Sequence, residues 1–251
     1  MSTGDEPWAL PPRQPLLEPG SLHIWRASLD LPAAARGRLE RVLSTSEREQ
    51  CSRFVRPGDR ARCAEARASL RVVLAQYTGE DPRVLPITVE ASGKPSLDRS
   101  AGIQFNISHT RDFALIAVTR GLRVGIDIER VREVRDMEAI LDGFFSEQEK
   151  AHLRSRAAEE RIRTFFLLWT RREAAAKAVG LGLFDSFARF TLSPSELDRS
   201  GFIVALPQPD APTGATAVWW MRDLLPAPGC AGAVCIEQRN VDPSFWRFVP
   251  Q

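Results

Sequence analysis

Lysine is almost missing from this chain. Its 251 residues hold 34 basic side chains, yet lysine stands only at positions 94, 150 and 177 and arginine fills the rest. With 32 acidic residues the formal charge is only +2, which argues against a general nucleic-acid binder. No apolar run approaches the roughly 18 residues of a membrane span. The N-terminus carries Asp5, Glu6 and scattered prolines in place of a basic segment and an apolar stretch, so no signal peptide is read there. The four cysteines (Cys51, Cys63, Cys230, Cys235) form no C-x-x-C pair and have no histidine at zinc-finger spacing. They read as structural thiols of a reduced, cytoplasmic protein, with a disulfide or metal site as the lesser alternative. There is also no G-x-x-x-x-G-K-[ST] loop and no kinase-type glycine loop, which removes two common phosphoryl-transfer architectures.

What is present is a concentration of carboxylates in two short segments. Gly125-Ile126-Asp127-Ile128-Glu129 alternates in polarity and follows the apolar run Phe113–Val118, the pattern of a half-buried strand. Asp127 and Glu129 then share one face, and Ile126 and Ile128 the other. Further on, Trp169, Glu173 and Lys177 are spaced by four and stack on one side of a helix. Two carboxylates on a strand and one on a helix make an all-oxygen nest suited to a hard divalent cation. Each element also has an ordinary reading. Asp127 and Glu129 could be solvated residues paired with Arg130 or Arg123; Glu173 and Lys177 could be a helix-surface pair; Trp169 could be core. In a chain so biased to arginine, the surviving lysines mark places where a compact ammonium does what a planar fork does not.

The rest of the pattern is mixed α+β. Residues 1–20 hold five prolines and read as an irregular lead-in. Strands are expected near 22–27, 87–90, 103–109, 113–119 and 124–130, and later at 190–192, 202–206, 216–221 and 233–237. Helices are expected from Ser44 or Ser46, over 57–77 with Gly79 closing it, near 134–141, from the capping box Ser146-x-x-Glu149, and over 159–179 before Gly180 and Gly182. Each half runs from helices to strands, which suggests two similar lobes, 21–121 and 122–251, joined near 119–124. No sequence motif repeats between them.

Five motifs fall in one order: Gly93-Lys94-Pro95, Phe105-Asn106-Ile107-Ser108-His109, Gly125-x-Asp127-x-Glu129, Phe144-Phe145-Ser146-x-x-Glu149, and Trp169-x-x-Arg172-Glu173-Ala174-x-x-Lys177-x-x-Gly180-x-Gly182. This arrangement resembles the 4′-phosphopantetheinyl transferases, in particular the longer Sfp type. The resemblance covers about residues 44–190. It implies two pseudo-dimeric lobes with an active site between them. The implied reaction moves the phosphopantetheine arm of coenzyme A to a serine of an acyl or peptidyl carrier protein and releases adenosine 3′,5′-bisphosphate.

Carried over position by position, the resemblance makes Asp127, Glu129 and Glu173 ligands of Mg²⁺, with Mn²⁺ able to stand in. Glu173 or Glu129 would take the serine proton, and Lys177 would stand at the pyrophosphate. Lys94, Ser108 and His109 would contact the coenzyme, and Arg62, with Arg56 as second candidate, would grip its 3′-phosphate. Arg48 and Arg53 would make up for a stretch at 46–50 with few positive charges. The pattern bends at Arg172, where the family usually has lysine. The implied partner is an acidic carrier protein bound transiently by a monomer. The alternative is a degenerate relative that binds coenzyme A or carrier proteins without turnover.

Overall fold

In the computed structural model, residues 6–90, 93–97, 102–180, 192–208 and 215–250 are described. Among these residues are two four-stranded sheets, a two-stranded ribbon and two long helices, a mixed α+β architecture. In chain order come β1 (Leu22–Ser28), α1 (Ala33–Leu39), α2 (Thr45–Ser52), α3 (Pro57–Thr78), β2 (Thr88–Val89), β3 (Pro95–Ser96), β4 (Ile103–His109), β5 (Phe113–Arg120) and β6 (Val124–Arg130). They are followed by α4 (Met137–Phe144), α5 (Glu147–Arg154), α6 (Ala158–Val179), the one-turn α7 (Pro194–Leu197), β7 (Gly201–Pro207), β8 (Thr216–Leu224), β9 (Cys230–Ile236) and β10 (Ser244–Arg247).

The first sheet runs β10-β1-β5-β4 and the second β6-β9-β8-β7. In each, the opening strand pairs antiparallel with a later one, Leu22 opposite Thr119 and Val124 opposite Ile236. Ser244–Arg247, at the far end of the range read as the second lobe, adds instead to the first sheet, parallel to β1. Sequence reading missed this strand, which is four residues long.

Side-chain alternation sorts the core into layers. Trp25, Phe105, Ile116 and Val118 pack with Leu70, Val73 and Leu74 of α3. Ala231, Ala233, Cys235, Trp219 and Met221 pack with Phe165, Leu168 and Ala175 of α6. The opposite faces meet each other: Leu22, Ile24, Leu115 and Ala117 against Val124, Ile126, Ile128, Val234 and Ile236. The order is therefore helix, sheet, sheet, helix. β6 is covered on both faces, so the half-buried strand expected from its alternation is in fact buried except near Glu129 and Arg130.

Local signals set the helices. Ser44 caps α2 and Ser146 caps α5, each in a reciprocal box with the glutamate three residues on. Gly79 and Gly180 end the long helices with φ of +74°, the left-handed turn that glycine enters at no steric cost. The helix expected near 134–141 begins later, at Met137, after Asp136 turns through φ +58°. The expected strand at 190–192 falls mostly outside the described residues, as does Gly182.

For one pair of cysteines the lesser alternative holds. Cys51 and Cys63 are joined in a disulfide that ties α2 to α3, whereas Cys230 and Cys235 are buried free thiols as read. The sequence signal was absent because the two half-cystines belong to different helices and follow no motif spacing. Among the described residues no helix is long and apolar enough to cross a membrane.

Candidate active site

The site begins with a missing side chain. An ideal Cβ on Gly125 would lie 2.1 Å from the Ala174 carbonyl oxygen and 2.4 Å from the Ala178 amide nitrogen. Both are backbone atoms of α6, and the residues facing the strand there are alanines. Gly125 thus lets α6 lie directly on β6. That approach brings the Asp127/Glu129 face of the strand under the Glu173/Lys177 face of the helix.

Asp127 is the hub. It is 4% exposed, and its Oδ1 accepts from Lys177 Nζ at 2.6 Å and from Ser108 Oγ at 2.7 Å. Lys177 also donates to Ser108 Oγ at 3.1 Å and to the Ile126 carbonyl at 3.4 Å. The alternative of a helix-surface pair between Glu173 and Lys177 is not what forms, because Lys177 reaches across to the strand. The surface reading of Asp127 and Glu129 fails too, since Arg130 pairs with Asp112 and Arg123 with Glu237.

The other Asp127 oxygen, Oδ2, is buried without a partner. A buried acceptor left unmade costs about 1–3 kcal/mol. Glu173 and Glu129, both half-buried, are pushed up in pKa. Burial raises Glu173 to about 7, with the negative charge of Asp127 second and that of Glu129 also contributing against the opposing pull of Lys177. Glu129 rises through burial and then through Asp127. Lys177 opposes the rise at both glutamates and Arg132 at Glu129, yet both pKa values stay raised, an unfavourable negative field that a further cation would relieve. Among the described residues no three acidic, histidine or cysteine side chains already converge as a finished metal site. The donor chemistry suits a hard cation, and the orphaned Oδ2 gives one an open ligand.

Ser108 was expected at the coenzyme's nucleotide. The structure places it inside the carboxylate network, near-buried between Asp127 and Lys177. Two residues earlier on the same face of β4, Asn106 accepts from the Ile126 amide at 2.9 Å, joining the edges of the two sheets. The role of Asn106 is missed by motif reading, which had only noted its place in the sequence.

His109 ends β4 with its ring accessible, at a cavity of about 550 Å³ lined also by Phe54, Arg56, Gly58, Arg62 and Arg111. Surrounding protein lowers its pKa, and the positive charges of Lys177, Arg67 and Arg62 add to that lowering. The cavity lies at the N-terminal end of α3, where backbone N–H groups and the helix dipole favour an anion. Arg62 shares its guanidinium with Asp59 at 2.8 Å. Arg111, on the β4–β5 turn, was not singled out from sequence because no motif includes it. Arg48 is occupied by the Leu43 and Arg41 carbonyls, so it is held at the start of α2. Lys94 is not among the residues lining this cavity; its Nζ donates to the carbonyls of Val124 and Lys177.

Trp169 is half-buried, stacked on Phe165 and flanked by Phe144 and Phe145. With Glu129, Arg132 and Ile140 it lines a second cavity of about 410 Å³ beside the carboxylates.

The departure at Arg172 has a structural answer. Its side chain is 1% exposed, is ion-paired with Glu149 of the α5 capping box and lies over Phe145, with its charge 5.3 Å from the ring centre. The planar guanidinium suits this buried pairing with a carboxylate. Breaking such a pair leaves a buried charge uncompensated, at a cost of about 3–5 kcal/mol. Arg172→Met should therefore lower stability by that order in chemical denaturation, while kcat of the folded fraction stays within roughly threefold; a lost kcat at full folding would place Arg172 in the chemistry.

Comparison with known proteins identifies the family. Residues 34–120 match the N-terminal family of 4′-phosphopantetheinyl transferases, and residues 123–215 match the 4′-phosphopantetheinyl transferase superfamily. The chain is 34% identical over 241 residues to the 4′-phosphopantetheinyl transferase HetI of Nostoc sp., covering 95% of this chain and 96% of that protein. It is 28% identical over 209 residues to a putative 4′-phosphopantetheinyl transferase of Synechocystis sp., covering 79% and 84%. It is 30% identical over 149 residues to the 4′-phosphopantetheinyl transferase Sfp of Bacillus subtilis, covering 58% and 65%. The chain belongs to the 4′-phosphopantetheinyl transferases of the Sfp type, and its activity is the phosphopantetheinylation of carrier proteins from coenzyme A.

Proposed function

We propose that the face made by Asp127, Glu129 and Glu173 holds Mg²⁺, or Mn²⁺ in its place, against the pyrophosphate of coenzyme A. The observation that carries this is the partnerless buried Oδ2 of Asp127 beside two glutamates whose ionised forms are disfavoured. Bound there, the cation would supply Lewis-acid polarisation of the pyrophosphate. Lys177, already held at Asp127, is placed to stabilise negative charge gathering on the departing phosphate. Glu173 is a suitable acceptor for the carrier serine's proton because a base titrating near neutrality is well matched to the task. Glu129 is the alternative base. Ser108 fixes Asp127 and Lys177 together and is positioned to meet the coenzyme's phosphates through the same hydroxyl.

The cavity at the start of α3 is assigned to the nucleotide end of coenzyme A, with His109, Arg62 and Arg56 as its grip and Arg111 beside them. An arginine bidentate on a phosphate contributes about 1.5–3 kcal/mol as a charge-assisted bond. Arg62→Ala and Arg56→Ala should each raise KM for coenzyme A roughly 10- to 100-fold and leave KM for the analogue lacking the 3′-phosphate nearly unchanged. Equal losses on both substrates in steady-state assays would move the phosphate site elsewhere.

The chain is further read as a duplicated lobe with one site between the copies. Both halves carry a capping-box helix, a 22-residue helix and a closing left-handed glycine. In both, an arginine eight residues before that glycine is ion-paired to the capping-box glutamate, Arg71 with Glu47 at 2.6 Å and Arg172 with Glu149. Aligned this way, Glu173 and Lys177 correspond to Val72 and Gln76; with the first residues of the seven-residue strands β1 and β6 matched, Asp127 and Glu129 correspond to Trp25 and Ala27. The first copy therefore has none of the charged set, and a single chain needs no second subunit. A monomer acting in the cytoplasm on an acidic carrier protein completes the reading, with the arginine-rich surface favouring that encounter.

A further inference from the structure

Lys94 sits on the turn between β2 and β3, one residue after Gly93 at φ +83°. Its half-buried ammonium donates to the Val124 carbonyl at 3.0 Å and to the Lys177 carbonyl at 3.2 Å. Val124 opens β6, three residues before Asp127. Lys177 lies in the last turn of α6, four residues after Glu173. One side chain from a distant turn thus touches the backbone of both segments that carry the carboxylates.

The chemistry of the contact is specific. Carbonyls in the last turn of a helix lack intrahelical partners, and the partial negative charge there favours a cation. An ammonium is a compact charge with three donors that can serve two carbonyls arriving from different directions. A guanidinium presents its donors in a flat fork suited to one carboxylate or phosphate. That difference accounts for a lysine here, in a chain that uses arginine at nearly every other basic position. The polar link from Asn106 to the Ile126 amide holds the same strand two residues further along. Together these contacts fix β6 along its length before Asp127 is reached.

We propose that Lys94 is a positioning residue: it pins the start of β6 to the end of α6 and so sets Asp127 and Glu129 against Glu173 and Lys177. This rests on the assignment of the chemistry to those four residues. A lysine that only gripped coenzyme A would act on KM, whereas a pin acts on kcat. Small displacements of catalytic groups are costly, about 100-fold in rate for 1 Å.

The test compares wild type with Lys94→Met and Lys94→Arg in the full chain, using steady-state kinetics together with amide hydrogen exchange of the coenzyme-free protein. Both variants should lose at least about tenfold in kcat with KM for coenzyme A within about twofold. Exchange should accelerate in 124–130 and 173–180 while the β8–β9 pairing keeps wild-type protection, and arginine should not rescue. A raised KM with unchanged kcat would overturn the proposal in favour of direct coenzyme contact. Exchange accelerated uniformly through the chain would overturn it in favour of general stability, and unchanged exchange would show that there is no pin. If wild type transferred no phosphopantetheine, the functional assignment would fail by itself, and the exchange pattern would still decide whether Lys94 holds the two segments.

Discussion

Gly125→Ala is expected to abolish activity and strip the protein of much of its stability. One methyl group is ordinarily a minor change, and inserting extra carbon into a packed core typically costs about 1–3 kcal/mol. Here the new Cβ meets main-chain atoms of α6 at 2.1 and 2.4 Å, with the Ala178 Cα at 3.0 Å, and no side chain can turn aside. The helix must lift from the strand, opening the contact between Gly125 and Ala174/Ala178 and parting the two halves of the carboxylate site. A loss of more than about 3 kcal/mol in denaturant unfolding is expected from an over-packed contact with no relief, together with at least a 100-fold fall in kcat/KM at temperatures where the variant is folded. Gly143→Ala is the matched control, because nothing lies within 4 Å of its added Cβ and it stands inside α4. It should be neutral or slightly stabilising, by up to about 1 kcal/mol. If Gly125→Ala melted with wild type and stayed active, direct helix-on-strand contact would not be what assembles the site.

Asp127→Asn is expected to have the next largest effect. The side chain keeps its shape, so packing is preserved, and what disappears is the charge that holds Lys177 and Ser108. The orphaned Oδ2 position loses its value as a cation ligand at the same time. Removing one preorganised electrostatic group commonly costs about 100- to 1,000-fold in kcat, and here two functions go together. A fall of about 1,000-fold or more is expected, with thermal stability close to wild type. The same substitution has a signed consequence for Glu173. Its pKa is raised to about 7, first by burial and next by the charge of Asp127, so taking that charge away favours the ionised form and moves the value downward. Carboxyl titration of the metal-free protein by NMR would show this as a Glu173 midpoint below that of wild type. A midpoint that stays put would mean that burial alone accounts for the shift.

Both predictions bear on how much could be read before any coordinates. Residue types and spacing were enough for β6, α3, α6 and the capping box at Ser146, because each is a local pattern of alternation, helical period or end-capping chemistry; at α2 they left Ser44 and Ser46 both open, and the structure chooses Ser44. The face shared by Asp127 and Glu129 follows from strand geometry alone. The partner of Lys177 did not follow, because an ammonium on a long stem can reach along its helix or across to a strand, and only packing at Gly125 decides. Lys94 and Ser108 illustrate the same limit. Their motif positions marked them as important, but their contacts lie 83 and 69 residues away, at Lys177. Arg111 and the Cys51–Cys63 link belong to no motif, and β10 is too short and too distant from β1 in sequence to announce its pairing. Arg172 looked like a weakened catalytic position only because its partner was unknown; that partner is Glu149 of the α5 capping box.

The most direct test of the central claim is the intact mass of an apo carrier protein after incubation with this enzyme, coenzyme A and Mg²⁺, run over a small panel of acyl, peptidyl and aryl carriers. At least one carrier should gain a single phosphopantetheine on its serine, with adenosine 3′,5′-bisphosphate released in equal amount, and neither should form when a chelator removes the cation or when Asp127 is asparagine. Equal labelling by wild type and Asp127→Asn, or labelling undiminished by the chelator, would contradict the account of the carboxylate site. No mass gain on any carrier would contradict the activity itself.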